Sequence, residues 1–127
     1  MRKRRAPGER PLHWVGSSKK DLLAFPEGAV DNIGYALSVV QFGGYPPSAK
    51  PWKGLGPGVH EIVDDDESGT FRTVYAARFG EAIYVLHAFQ KKSPSGRRTA
   101  RTDIKLIEER LKTARADYEA RYGKEAD

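Results

Sequence analysis

Apolar positions along the chain change period several times, and each change marks an element. PLHWV, residues 11–15, reads as a short strand. Ser17 and Ser18 can cap a helix start, and Ser18 with Asp21 three residues later fits a capping box, predicting a short helix to about Phe25. Pro26 is tolerated in the first turn of a second helix, along which Val30, Ile33, Leu37 and Val40 recur at spacings of three and four. The two helices are expected to form a hairpin. GGYPPSAKPWKGLGPG, residues 43–58, holds four prolines and five glycines and reads as one long loop.

Period-two segments follow. GVHEIVD (58–64), TFRTVYAARF (70–79) and AIYVLHAFQ (82–90) are separated by DDESG and by Gly80-Glu81, which predicts an antiparallel meander. The third strand is apolar on both faces, Ile83, Val85 and Phe89 on one and Tyr84, Leu86 and Ala88 on the other, as expected of an interior strand in a sheet covered on one face. Residues 99–122 carry Ile104, Ile107, Leu111, Ala114 and Tyr118 at alternating spacings of three and four, an amphipathic helix. The predicted class is α+β: a small antiparallel sheet, a helical hairpin before it and an amphipathic helix after it.

At 127 residues the chain suits one domain, residues 11–122, between a basic tail (1–10) and a short one (123–127). The longest apolar run, AIYVLHAF, is far below a membrane span, and MRKRRAPGERP lacks the apolar core of a secretory signal, so a cytosolic protein is expected. The absence of cysteine removes disulfides, thiolate nucleophiles and cysteine-based metal sites, and it suits a reducing compartment.

Charge is more informative in its distribution than in its net value of +5. Residues 2–10 carry five cations and one acid, residues 91–101 five cations and no acid, and residues 61–67 five acids and no cation. Such a lopsided surface concentrates polyanions, with nucleic acid the first partner to consider and a merely solvated basic loop the alternative.

The acidic run fails as a calcium loop: Asp64, Asp66, Ser68 and Gly69 fit positions 1, 3, 5 and 6, but Tyr75 stands where a bidentate glutamate is needed. A solvated hairpin turn is the reading left. His13, His60 and His87 match no metal spacing, and His87, alternating with Val85 and Phe89, reads first as a hydrogen-bonded core imidazole. No GxSxG occurs.

The cations form a more coherent set. Arg72, Val74 and Arg78 share one face of their strand by the period of two, with Phe71, Thr73, Tyr75 and Ala77 on the other. An arginine beside a buried valine needs an anion, either a carboxylate such as Glu61 or a ligand. Lys91 and Lys92 leave the third strand beside this face, and Lys53 sits in WKGLGPG. Cations converging on a phosphodiester can neutralise the phosphorane, and a lysine whose pKa is lowered by like charge can trade protons; no metal or cofactor is required. RNA is favoured over DNA because its 2′-hydroxyl can be the nucleophile.

WKGLGPGVHEI, TFRTVYAARFGEAIYVLHAFQKKS and GRRTARTDIKLIEERLK together resemble the HigB-like, phage-derived branch of the RelE/ParE toxin superfamily, over residues 14–118. The resemblance implies a RelE-like fold and a toxin of a type II toxin-antitoxin pair. Its activity would be a ribosome-dependent mRNA endonuclease, and its partner a helix-turn-helix antitoxin. It assigns catalysis to Arg72, Lys92, Lys91 and Lys53, with Arg72 at the scissile phosphate. Substrate contacts would fall to Arg78, Arg97, Arg98, Arg101 and His87. Tyr75 faces away from Arg72 and reads as core. The C-terminal helix offers only Tyr118 and Tyr122 where several relatives place a catalytic tyrosine or histidine, so the general acid and base stay unassigned. A non-catalytic gyrase inhibitor of the ParE type, or a relative without activity, are the alternatives.

Overall fold

The computed structural model describes residues 6–91 and 100–124. In chain order these form β1 (Leu12–Trp14), α1 (Ser18–Leu23), α2 (Glu27–Gln41), β2 (Ala49–Pro51), β3 (Val59–Asp66), β4 (Gly69–Ala76), β5 (Ile83–Lys91) and α3 (Arg101–Tyr122). The strands make one sheet in the order β1-β5-β4-β3-β2. Strands β2 to β5 pair antiparallel, but β1 runs parallel to β5, so the sheet is mixed rather than wholly antiparallel as expected. The class, α+β with a C-terminal helix, is as predicted.

Three local readings change. The loop 43–58 contains β2, an edge strand that ends on Pro51, where a missing N–H costs the ladder least. The expected hairpin is met only as two successive helices, α1 packing chiefly on β5 and α2 on β3. No capping box forms: the Ser18 hydroxyl donates to the Val85 carbonyl at 3.2 Å, and Ser17 instead bonds the Asp21 carboxylate at 2.8 Å. Arg10, placed in the basic tail by sequence, donates from its backbone to the Gln41 carbonyl at 2.9 Å and from its side chain to the Val40 carbonyl at 3.0 Å.

The sheet is covered on both faces, not one. Ala29, Ile33, Ala36, Leu37 and Val40 of α2, with Leu22 of α1, bury one face against Ile62, Phe71, Tyr75, Ile83, Val85 and Ala88. Ile107, Leu111, Ala114 and Tyr118 of α3 bury the other against Val59, Val74, Ala76, Tyr84, Leu86 and Phe89. Burying each large apolar side chain stabilises the fold by about 1.5–3 kcal/mol relative to exposure, so both helical layers hold the sheet. As predicted, Tyr75 is core on the face away from Arg72.

The faces of β5 also differ from a strict period of two. Val74 pairs with His87 and Tyr75 with Val85, leaving Leu86 as an extra residue at a register shift. The bulge moves Phe89 to the face of Tyr84 and Leu86, and Ala88 to that of Ile83 and Val85. His87 thereby joins the face that carries Val74 and Arg72.

Candidate functional site

On the α3 side of the sheet, strand pairing lines up a row of side chains across four strands. Lys50 of β2 is opposite Glu61 of β3, Glu61 opposite Val74 of β4, and Val74 opposite His87 of β5. In the adjacent row on that face, Arg72 lies between Val63 and Phe89, and one step further Lys91 pairs with Thr70. The first turn of α3 approaches the same region. Between them lies a cavity of about 1630 Å³. Among the described residues its lining carries five cations, Lys50, Lys53, Arg72, Lys91 and Arg101, against three acids, Asp21, Glu61 and Asp103.

Arg72 is largely enclosed. Its side chain is 12% exposed, and Nη1 donates to Glu61 Oε1 at 2.5 Å, where Glu61 itself is 5% exposed. Lys50, 58% exposed, lies 3.8 Å from the same carboxylate oxygen. Of the two counter-ions expected for Arg72, the structure shows the carboxylate of Glu61, and the pair lies in the cavity that the lysines also line. A guanidinium has five N–H donors, so a single bond to Glu61 does not exhaust it. The Arg72 Nε is buried with no hydrogen-bond partner.

Lys91 shares this electrostatic environment. Burial lowers its pKa below the ordinary lysine value, the Arg72 and Lys50 charges lower it further, and Glu61 opposes them. Its charge adds to that of the Arg72 guanidinium, an arrangement suited to holding an anion.

His87 is structural in its bonding although it lines the cavity. The Arg110 guanidinium can only donate, so its Nη1 contact at 3.4 Å makes His87 Nδ1 an acceptor and places the imidazole proton on Nε2, facing Asp103 Oδ1 at 2.7 Å. The ring stacks on Phe89 at 4.9 Å. Arg110 also donates to the Leu86 carbonyl at 3.0 Å and to the Ser17 hydroxyl at 3.1 Å. This chain of contacts ties the starts of α1 and α3 to the bulge of β5. It fixes where Arg101, two residues before Asp103, meets the cavity.

The remaining expectations separate cleanly. Lys53, exposed just after β2, and Arg101, at the start of α3, both line the cavity. Arg78 does not. β4 ends at Ala76, and Arg78 lies beyond it against the loop, where a Cβ added to Gly58 would stand 2.5 Å from the Arg78 Cβ. Gly58, at φ +87°, is thus required both by its backbone and by that close approach. Lys92, Arg97 and Arg98 lie outside the described residues. Lys50, Trp52 and Asp103 were not anticipated. The first two are hidden in a proline-rich segment, where the only signal was the alternation of Ala49 and Pro51 with Lys50 and Trp52.

Among the described residues, the other titratable groups lie apart from this cavity. Asp66 bonds the backbone and hydroxyl of Ser68 at 2.7 and 2.6 Å, which lowers its pKa within the β3–β4 turn. His13 meets the Tyr122 hydroxyl at 2.7 Å, and His60 meets that of Tyr45 at 3.3 Å. No group of acids, histidines and cysteines suited to a metal ion occurs among the described residues. No described helix is long and apolar enough to cross a membrane.

Comparison with curated proteins finds no match. The family model described as "Phage derived protein Gp49-like (DUF891)" matches residues 20–112, a span that contains α2, the whole meander and the first half of α3. The chain therefore belongs to the Gp49-like phage-derived family, a toxin-type family of the RelE/ParE kind.

Proposed function

We propose that the protein is the toxin of a type II toxin-antitoxin pair, of the HigB-like branch, and that it cleaves mRNA on the ribosome without a metal. The observation that carries this reading is the convergence of Arg72, Lys91, Lys53 and Arg101 on one cavity, with Arg72 held at its floor by Glu61. The 2′-hydroxyl attacks the adjacent phosphorus, the bond to the 5′ oxygen breaks, and the products are a 2′,3′-cyclic phosphate and a 5′-hydroxyl end. The proton lost by the 2′-hydroxyl is balanced by one gained by the leaving oxygen.

Arg72 is assigned to the charge that develops on the phosphorane. A fixed donor aimed at developing charge is worth about 3 kcal/mol, roughly a hundredfold in rate. Lys91, with Lys92, holds the phosphate and moves protons, and Lys53 supports them. Arg97, Arg98 and Arg101 grip ribosomal RNA backbone, an electrostatic and sequence-independent contact. A cationic cleft of this kind is most simply silenced by an acidic or apolar segment of a helix-turn-helix antitoxin that competes for the same charges.

Mapping transcript ends during induced expression tests the reading. New 5′ ends within translated regions support it. Intact transcripts with damaged DNA would favour a gyrase inhibitor of the ParE type, and the absence of any growth phenotype would favour a relative without activity.

A further inference from the structure

The cavity is not lined by charge alone. Trp52 follows β2, and its amide donates to the Val59 carbonyl at 2.9 Å, extending the β2–β3 ladder by one residue. The period of two then places Trp52 on the face of Lys50, which is the face of Glu61 and Arg72. Its indole is partly buried against the α3-side core and also lines the cavity. A large aromatic surface is thus anchored by main chain and core on one side, presented to the cavity on the other, and flanked in sequence by Lys50 and Lys53. The core needs only part of this side chain, and a cavity that recognised phosphate alone would need none of it.

We propose that Trp52 is a stacking platform for an unpaired nucleobase, with Lys50 and Lys53 holding the phosphates on either side of that nucleotide. The inference rests on the RNA reading above and deepens it: the ligand is a single-stranded polyribonucleotide with at least one base unstacked from its neighbours. Stacking on an aromatic ring is tolerant of base identity because every base has a π face, so the platform favours single strands over duplexes without dictating sequence.

Only Trp14 and Trp52 are tryptophans, and Trp14 lies on β1 against the opposite core cluster. In a Trp14→Phe background, emission excited beyond the tyrosine absorption band therefore reports Trp52 alone. The probe is a short oligoribonucleotide, 2′-O-methylated so that it cannot be cleaved, compared with an abasic strand of the same length and charge. The expected result is quenching by the base-containing strand only, and binding roughly 5- to 150-fold tighter than that of the abasic strand. Trp52→Phe should retain most of that preference, and Trp52→Ala should abolish it. Equal binding of the two strands would overturn the stacking proposal and leave the phosphate reading standing. Failure to bind either strand would overturn both. The strand comparison in the tryptophan-retaining protein decides the matter even if Trp52→Ala does not fold.

Discussion

The guanidinium of Arg72 and the carboxylate of Glu61 meet at 2.5 Å on the same face of the sheet, and both line the cavity that holds the lysines. The pairing has an energetic consequence for any test of Arg72. Removing one partner of an enclosed ion pair leaves the other charge without compensation, at about 3–5 kcal/mol, and Lys50 at 3.8 Å keeps the loss toward the lower figure. Arg72→Ala is therefore expected to lower unfolding free energy by about 3 kcal/mol in urea denaturation, a large part of a typical domain's stability. Loss of toxicity in that variant alone would not separate chemistry from folding. Arg72→Lys keeps the charge and the pairing but loses the planar fork, and it is expected to fold with near-normal stability.

Glu61→Gln isolates the role of the carboxylate. The amide oxygen can still accept from Arg72, but the negative charge beside the guanidinium disappears. Binding of uncleavable RNA should tighten several-fold at low salt, while stability falls by about 1–2 kcal/mol because an ion pair becomes a bond from a charged donor to a neutral acceptor. Weaker RNA binding, in a filter-binding titration, would show that Glu61 does more than hold Arg72.

Much of this arrangement was legible in the sequence, and the misses have physical causes. Period-two patterning located β3, β4 and β5, and period 3.6 located α2 and α3, because each buries a continuous apolar face. It also put Arg72 beside Val74 and turned Tyr75 away. It failed where one residue breaks the period: the extra Leu86 at the bulge exchanges Phe89 and Ala88, and no composition cue marks it. β2 was unreadable because its three residues sit among prolines and glycines and gain order only from pairing with β3. Parallel pairing of β1 with β5 is a tertiary choice that local sequence does not encode. Arg78 was misplaced because the strand stops two residues before it.

Lys91 gives the site a pH signature. Its charged form is disfavoured by burial and by Arg72, so its pKa lies below the ordinary lysine value and it loses its proton earlier as pH rises. RNA binding by the free protein should weaken on the alkaline side at a pH lower than an exposed lysine would set. Lys91→Arg, which stays charged, should move that limb upward; an unmoved limb in binding titrations would assign it to another group.

The His87–Asp103 contact predicts a structural phenotype. His87 is 6% exposed, and Asp103→Ala leaves its Nε2–H without a partner. The expected cost is about 1–3 kcal/mol in urea denaturation, with faster amide exchange in the first turn of α3. Asp103→Asn, which keeps an acceptor, should recover most of it.

The proposed mechanism depends on Arg72 acting at the scissile phosphate. The test is cleavage of mRNA bound to intact ribosomes in their magnesium buffer by purified protein, comparing wild type with a folded Arg72→Lys variant. Wild type is expected to leave 2′,3′-cyclic phosphate ends, and the variant to cleave roughly a hundredfold more slowly. An undiminished rate in the folded variant would remove Arg72 from the chemistry.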